Sequence, residues 1–159
     1  MKGTICLSII LLTALSAVAE IGQPVDALKV PIQQVIEILD DPQYEDPARR
    51  GDQREKIRSV TKPMFDFDLI AKRATGRYHW ENSFTPQQRQ EFTDLFARFL
   101  GNTYLTRISG DDKGMTVEYL DQDIDQARKQ AKVKTRVPSS DGNIDVDYSM
   151  RITDGQWKI

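Results

Sequence analysis

The sequence predicts an α+β fold in which N-terminal helices pack on a curved antiparallel sheet. Apolar residues recur at helical spacing as far as Tyr104. After Ile108 the period changes to alternation, the mark of half-buried strands. The only cysteine of the 159 residues is Cys6, in the leader, so the exported chain has no disulfide to hold it and must build a hydrophobic core. Helices first and strands later is the order of an α+β domain.

The leader explains the export. Lys2 supplies a short positive region, Ile5 to Leu15 is apolar apart from Ser8 and Thr13, and Ala17-Val18-Ala19 is a small-x-small cleavage site. Residues 1–19 therefore read as a secretory signal peptide cleaved after Ala19. The run is too short to span a bilayer. Cys6 lies inside it rather than at the cleavage point, which argues against a lipoprotein anchor. Losing Lys2 takes the formal net charge from −2 to −3, a balance that excludes general nucleic-acid binding. Residues 20–159 are expected to form one domain.

Pro24 to Leu39 carries Val25, Leu28, Ile32, Val35, Ile36 and Leu39 on one side of a helix. Pro31 interrupts this run, so either the helix begins there or it is kinked; a start at Pro31 is preferred. Asp40-Asp41-Pro42 stops it. In the polar stretch Ala48 to Thr61, Asp52 is the expected cap of a short helix that turns Ile57 and Val60 inward and ends before Pro63. Its outward residues Arg49, Arg50, Arg54, Lys56 and Arg58 form a basic cluster. That cluster is either a solvated face or a docking patch for an acidic partner or anionic headgroups.

The richest stretch runs from Phe65 to Tyr104 and reads as two helices with a capped turn between them. Asp66 caps a helix from Phe67 to Thr75, with Gly76 just beyond its end and Phe65 and Ile70 placed as a hydrophobic staple. Thr85 and Gln88 form a capping box, with Pro86 at the first helical position. Phe92, Leu95, Phe96, Phe99, Leu100 and Tyr104 then share one stripe.

Four strand segments follow. Met115, Val117 and Tyr119 make a short first strand. Ala127 to Val137 puts Ala127, Lys129, Ala131, Val133, Thr135 and Val137 on one face and basic residues on the other. Ile144, Val146, Tyr148, Met150 and Ile152 oppose Asp145, Asp147, Ser149 and Arg151 in the next. Basic and acidic residues thus share an outer face where cross-strand pairs form. Asp154-Gly155 turns into a last strand with Trp157 and Ile159.

Catalytic constellations are scarce. His79 is the single histidine, which excludes a multi-histidine metal site. No serine has a nucleophile-elbow context, and no glycine-rich phosphate loop is present. Asp121, Asp123 and Asp125 alternate, but without the glycine and terminal glutamate of a calcium loop. Asp66 and Asp68 are explained as cap and first-turn residues. An enzyme would have to rely on Tyr148 or His79.

What remains is apolar surface, which serves either as close-packed core or as the wall of a lipid pocket. The helix side of such a pocket would be Phe92, Phe96, Phe99, Leu100 and Tyr104, with Phe65, Phe67 and Ile70 before them. The sheet side would be Val133, Val146, Tyr148 and Met150. A helix from Pro86 to Tyr104 is about 28 Å long, against about 15 Å of hydrocarbon in one leaflet. At about 0.8 kcal/mol per buried methylene, a long acyl chain needs shelter worth on the order of 10 kcal/mol.

The string FDFDLIAKRATGRYHW followed by FTPQQRQEFTDLFARFLGNTY resembles the MlaC/toluene-tolerance family of periplasmic lipid-binding proteins. The matching positions are Phe65, Asp66, Phe67, Gly76, Tyr78, Trp80, Thr85, Pro86, Gln88, Arg89, Phe92, Phe96, Leu100, Thr103 and Tyr104. VKTRV, the Ile144–Tyr148 strand and GQWKI add to them. Thr75 stands where the family usually has leucine, and His79 is an insertion before the tryptophan.

The resemblance implies a fold of the nuclear-transport-factor-2/cystatin-like type and no catalysis. It implies a phospholipid held by its tails as cargo, with no cofactor. The partners it implies are an inner-membrane Mla-type ABC transporter complex and an outer-membrane Mla-type lipoprotein complex, and the compartment is the periplasm. Family members continue past the WK strand with another strand segment and a helix, so a C-terminally shortened domain is expected.

Overall fold

The computed structural model describes residues 21–105, 114–138 and 142–159; the side chains of Tyr104 and Leu105 are outside that description. The signal peptide at 1–19 and the change of period after Ile108 lie outside the described residues.

Among the described residues, five α-helices precede four strands: α1 (Pro24–Asp40), α2 (Arg50–Thr61), α3 (Phe67–Thr75), α4 (Arg77–Asn82), α5 (Pro86–Leu105), β1 (Glu118–Asp125), β2 (Gln130–Val137), β3 (Ile144–Thr153) and β4 (Gln156–Lys158). The strands form one antiparallel sheet in the order β1-β2-β3-β4. The α+β class read from the sequence is the class observed.

Helix α1 ties the two halves of the fold together. Its first half sets Leu28, fully buried, on Ala131, Val133 and Met150 of the sheet. Its second half sets Val35 and Leu39 on Ile57 of α2. The preferred start at Pro31 is overturned, because the helix runs from Pro24 through Pro31 to Asp40. Pro31 removes one backbone hydrogen bond, but the burial of Pro24 and Leu28 upstream holds that turn helical. The helix has no side-chain cap of its own. Gln122 of β1 supplies one, accepting from the Val25 N–H at 3.3 Å and reaching Gln23 Oε1 at 3.2 Å. The indole N–H of Trp157 donates to the Gly22 carbonyl at 2.8 Å, so β4 fixes the same end.

Asp52 does not cap α2. The helix begins at Arg50, and Asp52 lies in its first turn, 3.6 Å from Arg49. A 3-10 turn at Pro47–Arg49, capped by Asp46, leads directly into the helix and takes up the expected cap position.

The expected cap and stop of α3 are both present. The Asp66 carboxylate accepts from the Leu69 N–H at 3.0 Å, and Gly76 follows Thr75 at φ 80° and ψ 143°, a conformation open to glycine. There are three helices rather than two between Phe65 and Tyr104. Past Gly76 the chain forms α4, which holds Trp80 inward. The capping box of α5 is closed in both directions: the Thr85 N–H donates to Gln88 at 2.9 Å, and the Gln88 N–H donates to Thr85 at 3.2 Å.

The strand boundaries differ from expectation in two places. Residues 115–117 are not a strand, and β1 is the aspartate-rich segment Glu118–Asp125. A bulge at Leu120 shifts the register between Tyr119 and Asp121. The alternation that begins at Met115 therefore breaks just where the strand does. Residues 127–129 are a turn, with Lys129 at φ 54°, and β2 begins at Gln130.

Candidate functional site

The predicted lipid-binding residues divide between two places. On the sheet, Val133 and Met150 are buried beneath Leu28, with Tyr148 partly buried beside them. Val146 lies on the same face of β3, opposite Thr135, whose buried hydroxyl donates to the Val146 carbonyl at 3.1 Å. On the helices, Trp80, Phe84 and Phe92 surround one another at centroid separations of 5.9–6.4 Å. The rings then continue along α5 as a stack. Phe92 to Phe96 is 5.5 Å and Phe96 to Phe99 is 6.3 Å, each pair within 20° of parallel.

Helix α5 packs on α3, where Thr93 donates to Asp68 at 3.1 Å. The Arg58 guanidinium also bonds Asn102, linking α5 to α2. Phe92, Phe96 and Leu100 are half-buried in this arrangement, whereas Leu95 is 51% and Phe99 62% exposed. Phe65 and Phe67 stack at 5.4 Å, and they and Ile70 are half-buried at the start of α3. The Tyr104 side chain lies outside the described residues.

Among the described residues, two open cavities stand out, and neither is lined by a residue of the α5 stripe. The larger, about 940 Å³, lies between α1 and the extended segment entering β1. Its apolar lining is Val30, Ile32, Ile36, Met115, Val117 and Tyr119. The Gly114 N–H donates to Asp40 at 2.8 Å and fixes one end of this groove. The smaller cavity, about 370 Å³, lies between α3 and the sheet and carries several charges.

Burial raises the Tyr119 phenol above its ordinary range, and the neighbouring Tyr148 phenol adds to the effect. Burial raises Tyr148 as well, partly offset by its side-chain contact with Thr135. Asp41, Glu81 and Asp145 are held low by hydrogen bonds from Gln43, from Lys72 with Arg77, and from Arg136 respectively. His79 is exposed, with Nδ1 3.4 Å from the Ser83 hydroxyl. No His/Cys/Asp/Glu group among the described residues could hold a metal ion.

A family model described as MlaC protein matches residues 29–159. The chain belongs to the MlaC family. No curated sequence matches it. Among solved structures it is similar to a phospholipid-binding protein from Ralstonia solanacearum, determined in complex with a phospholipid. The TM-score is 0.69 at 22% identity, covering 86% of this chain and 75% of that one. At that identity the likeness establishes a shared fold.

In this MlaC-family chain the members of the basic cluster differ in their contacts. Arg49 pairs with Asp52 and lies over the Tyr44 ring. Arg58 pairs with Glu55 at 3.3 Å as well as bonding Asn102, so it serves packing. Arg50, Arg54 and Lys56 are exposed and have no ion pair among the described residues. The groove against α1 was missed because Met115 and Val117 read as strand. Its one sequence signal is the surplus of apolar residues on α1, where Val30 is left 63% exposed.

Proposed function

We propose that the chain binds a phospholipid by its acyl tails and carries it through the periplasm between an inner-membrane Mla-type ABC transporter complex and an outer-membrane Mla-type lipoprotein complex, without catalysis. The observation that carries this reading is membership of the MlaC family across residues 29–159. The fold it shares with a phospholipid complex supports it. No helix among the described residues is long and apolar enough to cross a membrane, so the lipid must be sheltered by the protein's own surface.

The concave apolar groove between α1 and residues 115–119 is the better shelter for the tails. Its volume of about 940 Å³ is in the range of ligand pockets, roughly 300–1,000 Å³. A second placement is along α5, where the stacked Phe92, Phe96 and Phe99 offer a continuous apolar track with Phe99 open to solvent. That placement takes in the helix-side residues first read as the pocket wall, Phe65, Phe67, Ile70, Leu100 and Tyr104, whereas the sheet-side residues Val133, Val146, Tyr148 and Met150 lie apart from it on the sheet. Native mass spectrometry of the full chain exported to the periplasm tests the carrier reading. A bound mass matching a phospholipid is expected. A folded protein with no bound lipid and no uptake from phospholipid vesicles overturns it.

A further inference from the structure

The larger groove has two sides of equal length. On α1 its lining includes Lys29, Gln33, Ile36 and Asp40. These stand at i, i+4, i+7 and i+11, so the groove follows one stripe of the helix. From Lys29 to Asp40 that stripe is about 16 Å long at the rise of an α-helix. Facing it, the chain from Gly114 to Tyr119 also covers about 16 Å at the rise of an extended segment. The two run antiparallel, and a contact holds them together at each end. The Gly114 N–H donates to Asp40 at 2.8 Å. The Lys29 ammonium lies over the Tyr119 ring, 5.5 Å from its centroid.

The two ends differ in chemistry. At the Asp40 end, Met115 packs against the core of Val35, Leu39 and Ile57 and closes the floor. Glu37 and Asp40 both line the groove there, and hydrocarbon pushed past them would strip water from two carboxylates. At the other end, Ile32 and Tyr119 pack against the core around Leu28, and Lys29 is the one cation of the described lining. Ile32, Ile36 and Val117 supply apolar wall between the ends. A phosphate beside Glu37 and Asp40 would meet like charge, so a phospholipid enters from the Lys29 end. Its terminal methyl leads, and its headgroup stays outside in water.

We infer that the groove selects its cargo by acyl length. It shelters a tail about as long as one leaflet is deep, roughly 15 Å, and the Asp40–Gly114 contact is the stop. A longer tail leaves methylenes in water that a bilayer would have covered, so each added carbon weakens loading. The inference rests on the carrier reading and on the groove placement above, and adds to them which tails are taken.

The test is a competition read by native mass spectrometry. The full chain is incubated with an excess of dioleoylphosphatidylcholine vesicles that carry equal minor amounts of dilauroyl-, dipalmitoyl- and dibehenoylphosphatidylglycerol. The wild type is expected to load the palmitoyl lipid about tenfold over the behenoyl one. Ile36→Trp places an indole across the middle of the groove and is expected to raise the lauroyl-to-palmitoyl ratio about tenfold over the wild-type ratio. Gln33→Trp makes the same block from an exposed position on the same stripe, should Ile36→Trp fail to fold. Asp40→Ala removes the stop and raises the behenoyl share about tenfold. Variants are read against the wild type because longer tails also hold harder to the vesicle. Loading in proportion to supply at every length, or a folded tryptophan variant with the wild-type ratio, overturns the length limit and leaves the carrier standing. A folded chain that takes up no phospholipid of any length overturns both.

Discussion

The carboxylate of Asp66 accepts the Thr153 hydroxyl at 2.8 Å while it caps α3 through the Leu69 N–H. One side chain therefore sets the start of a helix and fastens that helix to the end of β3. The backbone completes the joint, with the Asp66 N–H donating to the Ile159 carbonyl at 2.9 Å and the Ile159 N–H donating to Met64 at 2.8 Å. Asp66→Ala is expected to cost about 2–3 kcal/mol, from a lost cap of about 1 kcal/mol and a half-buried hydroxyl left without its acceptor. Thr153→Val removes only the cross-link and is expected to cost about 1 kcal/mol. Urea denaturation of the two single variants and the double variant measures the coupling. Strict additivity would mean that the two residues do not cooperate.

The two apolar surfaces proposed for the acyl tails are separable by placing a charge in each. Val117→Asp puts a carboxyl group into the groove against α1, where even a neutral polar group without a hydrogen-bond partner costs on the order of 2–7 kcal/mol among methylenes and an ionised one far more. We expect it to lower the co-purified phospholipid at least tenfold, with Phe96→Asp changing the load little. The opposite ranking in native mass spectra would move the tails to α5.

Arg50, Arg54 and Lys56 are the cations of α2 that have no ion pair among the described residues. Reversing all three to glutamate is expected to abolish co-sedimentation with a membrane-embedded acidic partner and to leave lipid content unchanged. Arg58→Glu is a different experiment, because that guanidinium holds Asn102 and Glu55; it is expected to lower thermal stability. Undiminished partner binding by the triple variant would place docking elsewhere.

Tyr119 and Tyr148 give the fold an alkaline limit. Burial raises both phenols above the ordinary 10.0 in the folded chain. Their contribution is fully present below the unfolded value and is lost as pH rises through the folded one. Thermal melts between about pH 9 and about pH 11 are expected to show a falling midpoint in the wild type. Tyr148→Phe, which cannot ionise, flattens that fall. Parallel curves for the two proteins would remove Tyr148 from the account.

The local signals were the legible ones. Asp66, Gly76, Thr85 and Gln88 act through neighbours within four positions, so their roles can be read from spacing. Pro31 could not be placed in this way, because what holds α1 helical across it is the burial of Leu28 against a sheet a hundred residues further on. The β1 segment failed for another reason. Tyr119, Gln122 and Ile124 do face inward by turns, but the bulge at Leu120 shifts their phase, and the outward aspartates looked like a loop. At the site, the aromatic stack of α5 could be read from the sequence, whereas its packing on α3 rather than on the sheet could not. Helical period gives which residues share a face but not what that face meets. The 940 Å³ groove joins α1 to a segment with no period of its own, so nothing in the sequence pairs them.

The same bulge bears on how copies of the chain behave when crowded. Among the described residues β1 pairs only with β2, which leaves its outer rim a row of backbone donors and acceptors with no strand beside it there. A flat apolar rim of that kind would template the addition of a second molecule. Here the register slips at Leu120, and Asp121, Asp123 and Asp125 follow at alternate positions. An approaching β1 from another copy meets a kinked ladder and its own negative charges. The kink and the outward acidic run together disfavour edge-to-edge pairing of β1.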